Sequence, residues 1–86
     1  MAEIVIEPTF KKRLAKKTPQ QRGAILECIE RLGGNSRHPG LRTHRVQGVR
    51  GVFEAYVDDA NRVTFHWEDG VIVMRNHCNH DVLKTP

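Results

Sequence analysis

The sequence predicts an α+β domain in which one β-strand and two helices precede an antiparallel β-meander, with the helices packed on one face of the sheet. Apolar residues repeat with a helical period in the first part of the chain and alternate with a period of two in the second part. The chain has 86 residues, which suits one modest core, and no repeat or linker divides it. We therefore treat residues 1–86 as a single domain with the element order β-α-α-β-β-β-β.

The first strand and the first helix are short. Residues Ile4 to Ile6 form a β-like run, and Pro8 then permits a turn. Phe10 and Leu14 follow at positions i and i+4, with basic residues on the outer side. This spacing indicates a short amphipathic helix over 10–17.

The second helix has the clearest signal in the chain. Thr18 is a good N-cap, Pro19 suits the first helical position, and Gln21 completes a capping-box pattern. An apolar stripe follows at i, i+3, i+4 and i+7, formed by Ile25, Cys28, Ile29 and Leu32. Gly33 and Gly34 end the helix.

The remaining chain predicts four strands. Residues 41–47 are a weak strand candidate, whereas 52–58, 62–67 and 71–78 are stronger candidates, separated by turn residues at 58–61 and 68–70. Alternation places these apolar side chains against the helices: Phe53, Ala55, Val57, Val63, Phe65, Trp67, Ile72 and Met74. It turns a second set to the open face of the sheet: Glu54, Tyr56, Arg62, Thr64, His66, Arg75 and His77.

The composition of this predicted open face suggests a function. Arginine and histidine are unusual on a solvated sheet, where threonine, lysine and glutamate are commoner. Arginine offers permanently charged, bidentate contacts to phosphate, so such a surface suits RNA. The alternative is a face that is merely solvated.

Composition favours a cytoplasmic protein with an anionic partner. Fourteen Lys and Arg residues outnumber ten Asp and Glu, for a formal charge of +4. No apolar run approaches the roughly 20 residues that span a bilayer, and the N-terminus lacks a signal-peptide pattern, so we expect no membrane partner. Two cysteines are too few for a secreted disulfide framework, and Cys28 is expected to be a small buried hydrophobe.

Three segments resemble the RelE/ParE toxin superfamily in their order and spacing. LRTHRVQG at 41–48 is similar to a stretch before the central strands, NRVTF at 61–65 to a strand of the sheet, and HCNHDVL at 77–83 to the terminal segment. The resemblance implies the fold described above. It also implies a toxin that a cognate antitoxin protein holds inactive, in a heterotetramer or larger toxin–antitoxin assembly.

The two branches of this superfamily imply different activities. The RelE-like branch, which we favour, implies a ribosome-dependent endonuclease that cuts messenger RNA. The ParE-like branch implies a non-enzymatic inhibitor of DNA gyrase. Leu83 stands where many of the nucleases have an aromatic residue that stacks on a base. A third interpretation is therefore a protein that keeps the fold and its partner but lacks toxicity.

Metal-free RNA cleavage requires proton transfer and stabilisation of phosphorane charge. His80 and His77 are the candidates for proton transfer, and Arg62 and Arg75 for charge stabilisation. Candidates for RNA binding are Arg42, His44, Arg45, Arg50 and His66, with the lysines of the short helix. We expect no metal or cofactor, because the HCNH spacing at 77–80 is too tight for structural zinc and carboxylates are not clustered.

Overall fold

The computed structural model describes residues 2–59 and 61–79, and it confirms the predicted α+β class and element order. The elements are β1 (Ile4–Ile6), α1 (Pro8–Ala15), α2 (Pro19–Gly34), a 3-10 turn (Pro39–Leu41), β2 (His44–Arg45), β3 (Val52–Tyr56), β4 (Asn61–Glu68) and β5 (Val71–Asn79). None of the helices in the described ranges is long and apolar enough to cross a membrane.

The strands form one sheet in the order β1-β5-β4-β3-β2. The last four strands pair as an antiparallel meander, as predicted. β1 instead pairs in parallel with β5, which joins the two ends of the described chain. A two-residue turn of Asp69 and Gly70 connects β4 to β5, and both residues have positive φ values, 50° and 78°, as a type I′ hairpin requires.

The start of α2 follows the predicted capping box. The Gln21 amide donates to Thr18 Oγ1 at 3.2 Å, and the Thr18 amide donates to Gln21 Oε1 at 3.2 Å. α1 covers Pro8–Ala15 rather than the predicted 10–17, because Pro8 occupies the first turn of the helix instead of the turn before it.

The core lies between the helices and one face of the sheet. Its fully buried side chains come from both helices and three strands: Phe10, Ile25, Leu32, Ala55, Val63, Phe65, Ile72 and Met74. Cys28 is buried as predicted, with Sγ 3.4 Å from the carbonyl of Tyr56. Burial raises the pKa of the Cys28 thiol to about 11, so it is a packing residue rather than a reactive thiolate.

The predictions for the strand at 41–47 and for the burial of Trp67 are wrong. The weak strand expected over 41–47 is reduced to His44–Arg45, because Leu41 ends the 3-10 turn and Arg42 adopts a left-handed conformation with φ of 47°. Trp67 was expected in the core but is 43% exposed. Trp67 pairs with Ile72 and lies on the core side of the sheet. The loop after α2 does not cover its ring but lines a cavity beside it.

A β-bulge in β5 changes which residues face the helices. Thr64 pairs with Asn76, whereas the next residue, Phe65, pairs with Met74, so Arg75 is an extra residue in β5. A bulge of this kind shifts the alternation of the bulged strand by one. Asn76 therefore lies on the open face with Thr64, and His77 pairs with the core residue Val63.

Candidate nucleic-acid interface

Charged and polar side chains occupy the open face in register across four strands. His44 pairs with Glu54, Glu54 pairs with Thr64, and Thr64 pairs with Asn76, so these residues form one row. Around this row lies a group that we call the open-face cluster: Arg42, His44, Glu54, Tyr56, Arg62, His66 and Arg75. This group holds three arginines and one glutamate, and the carboxylates of Asp59 and Glu68 contact its Tyr56 and His66.

Glu54 is the buried centre of an ion pair. It is 2% exposed, and its Oε1 lies 3.4 Å from Arg62 Nε and 3.7 Å from His44 Nε2. Arg62 Nη1 also donates to the carbonyls of Asp58 and Asn61. Arg62 thus compensates a buried carboxylate and closes the turn before β4, which uses two of its three nitrogens.

Tyr56 lies between two guanidinium groups. The Cζ atoms of Arg42 and Arg62 are each 4.7 Å from the centroid of its ring. The hydroxyl of Tyr56 donates to Asp59 Oδ1 at 2.8 Å, and this hydrogen bond raises the pKa of Tyr56. The ring therefore holds Arg42 beside the ion pair of Glu54 and Arg62.

The two histidines of the cluster have different hydrogen-bond partners. Arg75 Nη1 lies 3.2 Å from His66 Nδ1, and because arginine only donates, His66 Nδ1 accepts and the proton sits on Nε2, 3.4 Å from Glu68 Oε2. His44 Nδ1 lies 2.8 Å from the carbonyl of Arg42, which only accepts. Nε2 of the same ring lies 3.7 Å from Glu54 Oε1, so both ring nitrogens of this 59% exposed side chain face acceptors.

His77 is not on the open face, contrary to prediction, because the bulge at Arg75 reverses its direction. It is 7% exposed and contacts the ring of Phe10 edge-on, with ring centroids 4.9 Å apart. Among the described residues, neither of its ring nitrogens has a hydrogen bond of normal geometry. Burial lowers the pKa of His77, and the positive charges of Lys17 and Arg13 lower it further. The backbone of Phe10 raises this pKa by a smaller amount.

The other predicted site residues are distributed more widely. Arg45 pairs with Phe53 and so lies on the helix-facing side of the sheet, with Cζ 5.9 Å from the centroid of that ring. Arg50 is exposed in the turn between β2 and β3. His80 and Leu83 lie outside the described residues, so the expectations about them, including the terminal zinc spacing, stay predictions.

Two features of this surface have no signal in the sequence. The alternation places Tyr56 and Arg62 on one face, and their cation–π contact follows from that placement, but Arg42, which contacts the same ring, lies outside the strands and has a left-handed backbone. The second feature is Asn76, whose Oδ1 accepts from Arg13 Nη1 at 2.5 Å. The bulge that orients Asn76 has no recognisable sequence signal. In the described ranges, no group of three or more His, Cys, Asp or Glu residues could hold a metal.

Solved structures with this architecture are known. A chain of the E. coli DinJ–YafQ toxin–antitoxin complex superposes with a TM-score of 0.71 at 18% identity, covering 98% of each chain. A chain of the archaeal RelE–RelB complex from Pyrococcus horikoshii gives a TM-score of 0.71 at 18% identity, covering 91% of this chain and 93% of that one. This chain has the RelE-like fold.

The isolated E. coli RelE toxin shares the RelE-like fold at lower identity. Its TM-score is 0.72 at 9% identity, and the match covers 98% of this chain and 89% of that one. Comparison of the sequence with protein-family models and with curated proteins gives no match. The predicted RelE/ParE-like fold is therefore confirmed by its architecture.

Proposed function

We propose that this chain is the toxin of a toxin–antitoxin pair and that it binds and cleaves messenger RNA at the open-face cluster. The observation that carries the proposal is the convergence of three arginines with His44 and His66 on this face: Arg42, Arg62 and Arg75. Arginine makes permanently charged, bidentate contacts to phosphate, so this face suits an RNA backbone. The likeness to RelE and YafQ structures supports the same assignment.

Two histidines of the open-face cluster suit general acid–base chemistry. A metal-free cleavage needs one group that accepts the proton of the ribose 2′-OH and one that donates a proton to the leaving oxygen. His44 and His66 are the candidates on this face, because an imidazole ring can accept or donate a proton. Arg75 and Arg42 supply charge to the phosphate, while Arg62 positions Glu54. His80 stays a second predicted proton-transfer residue, and His77 has no part in the proposal because its ring is buried on the other face.

The partners follow from the same surface. We propose that an acidic segment of the antitoxin lies on the open-face cluster and blocks access to RNA. Because the cluster has few catalytic groups, the ribosome is expected to orient the message and free RNA to be a poor substrate. Expression of the chain alone should then harm its host, and co-expression with an acidic antitoxin from an adjacent gene should prevent the harm.

The experiment measures cleavage of messenger RNA on programmed ribosomes. We expect His44→Gln, His66→Gln and His80→Gln each to lower the cleavage rate by about 10²–10⁴-fold, which is the usual contribution of a general acid or base. His38→Asn removes an exposed histidine that caps the 3-10 turn and should leave the rate unchanged. If all three histidine variants cleave at the wild-type rate, the assigned proton transfer is wrong.

A second candidate function is favoured by one specific observation. Of the four predicted catalytic residues, His77 is buried on the opposite face and Arg62 is engaged with Glu54. A ParE-like inhibitor needs no proton-transfer residues, so this arrangement suits binding to DNA gyrase without chemistry. A chain that is toxic in cells and inhibits supercoiling, but leaves ribosome-bound message intact, would establish this alternative.

A further inference from the structure

A cleft on the helix-facing side of the sheet contains the most exposed aromatic side chain of the described residues. We call it the Trp67 cleft; it has a volume of about 500 Å³ and is lined by Ser36, Arg37, Thr43, Phe53, Phe65 and Trp67. Phe53 and Phe65 stack at a centroid distance of 5.7 Å and form its apolar back, and Trp67 is 43% exposed at its side. This volume lies within the range of small-molecule sites.

The rim of the Trp67 cleft is cationic and polar. Arg37 lines it, and Arg45 lies beside it with its guanidinium over the ring of Phe53. Thr43 Oγ1 donates to the carbonyl of Ser36 at 3.0 Å, which closes the loop edge of the cleft. Among the described residues that line the cleft none is acidic, so Arg37 at the rim and Arg45 beside it give the site a positive charge.

We propose that the Trp67 cleft binds one unpaired nucleotide, with its base stacked on Trp67 and its phosphate held by Arg37 and Arg45. Proteins that bind single-stranded nucleic acids combine exposed aromatic rings with arginines. The ring stacks on the face of a base, and the arginine contacts the charged phosphate. A cleft of this volume accommodates a single nucleotide, whereas docking of a whole protein surface does not require a cleft.

The cleft and the open-face cluster lie on opposite faces of the sheet but meet at one edge. β2 is the edge strand and has two residues, of which His44 faces the cluster and Arg45 faces the cleft side. One strand of RNA that passes this edge contacts both surfaces. The path of one RNA strand across both surfaces rests on the proposed function. Binding of a nucleotide by the Trp67 cleft does not depend on it.

Trp67 is the only tryptophan of the chain, so its fluorescence reports on the cleft directly. We expect adenosine 5′-monophosphate to quench this fluorescence saturably in the wild-type protein. Adenosine, which lacks the phosphate, and ribose 5-phosphate, which lacks the base, should each bind more weakly. If adenosine 5′-monophosphate produces no saturable quenching, the Trp67 cleft is not a nucleotide site.

Variants separate the cleft from the cluster. We expect Trp67→Leu to weaken binding of a labelled single-stranded RNA hexamer by roughly 5- to 100-fold, the range of one base-stacking contact. Arg37→Ala should weaken it more than Arg31→Ala, which removes the same charge from an exposed ion pair on α2. Equal affinity of the Trp67→Leu variant and the wild type, both folded by circular dichroism, would overturn the proposal.

The two proposals fail separately. Arg75→Ala removes a charge from the open-face cluster and should abolish cleavage while leaving the quenching of Trp67 by adenosine 5′-monophosphate intact. Quenching without any cleavage by the wild-type protein would reject the proposed nuclease and support the cleft. Loss of quenching in the Arg75→Ala variant would mean that the nucleotide binds at the cluster, and it would reject the cleft.

Discussion

At the scale of single residues, His77 is the least expected feature. A buried polar group without a hydrogen bond costs free energy, and both ring nitrogens of His77 lack such a bond within the described part of the chain. The edge-on contact with Phe10 packs the ring between α1 and β5. The ring therefore contributes to packing only while it is neutral.

We expect the free energy of unfolding to fall on acidification because of His77. Its pKa in the folded state lies below the unfolded value near 6.5, so under mildly acidic conditions the unfolded chain binds more protons. The contribution of His77 to the free energy of unfolding is fully present above the pKa of the unfolded state. It is lost as the pH falls from about 6.5 through the lower pKa of the folded state. His77→Leu should flatten this dependence.

Urea unfolding followed by Trp67 fluorescence between about pH 8 and pH 5 measures the effect. His38→Asn, which removes an exposed histidine, serves as the control and should keep the wild-type dependence. An unchanged acid dependence in the His77→Leu variant would show that another group is responsible.

At the scale of elements, the strands are linked by a bulge and by an ion pair. The bulge places Arg75 and Asn76 consecutively on the open face and turns His77 into the core. The ion pair connects β3 to β4, because Glu54 lies on one strand and Arg62 on the other. Burial of the carboxylate makes this link more important for stability than a surface pair.

We expect Arg62→Met to lower the free energy of unfolding by about 2–3 kcal/mol. This loss is near the lower end of the usual cost of breaking a buried ion pair, because His44 remains near the Glu54 carboxylate. Adding Glu54→Gln to Arg62→Met removes the unpaired charge, so the double variant should lose less than the sum of the single changes.

A surface pair provides the matched control for this double-mutant cycle. Glu27 and Arg31 lie 2.7 Å apart on α2, and their side chains are 62% and 56% exposed. Their coupling should be about 0.3–0.5 kcal/mol, the usual value for exposed helix pairs. A coupling between Glu54 and Arg62 as small as this would show that their ion pair does not link the strands.

At the scale of the whole molecule, positive charge is distributed over both faces of the sheet. The formal charge is +4, and arginines lie in the open-face cluster and beside the Trp67 cleft. The two surfaces meet at the β2 edge, where His44 and Arg45 lie on opposite faces of the sheet. Binding to RNA should therefore depend strongly on salt.

We expect the logarithm of the RNA-binding constant to fall with the logarithm of salt concentration with a slope of about −2. This corresponds to roughly three phosphate contacts on a single strand, each of which contributes about −0.7. Arg75→Ala should make the slope shallower by about 0.7, whereas Arg31→Ala should leave it unchanged. Binding that is independent of salt would contradict RNA recognition through phosphate at either surface.

The sequence by itself determined the elements, the core and most of the open face. The capping box at Thr18 and Gln21 and the alternation that separates Phe65 from His66 are local patterns, and local patterns follow from backbone geometry. The placement of Arg62 beside Glu54 follows from the same alternation.

Only the tertiary structure decided the remaining features of the site. The bulge at Arg75, the burial of His77 against Phe10 and the exposure of Trp67 depend on which strand or loop lies opposite each residue. Such contacts join residues that are far apart in the chain, so the free energies that select them are absent from any short window of sequence. The periodicity specifies which face a residue takes in a regular strand, and tertiary packing decides where that regularity is broken.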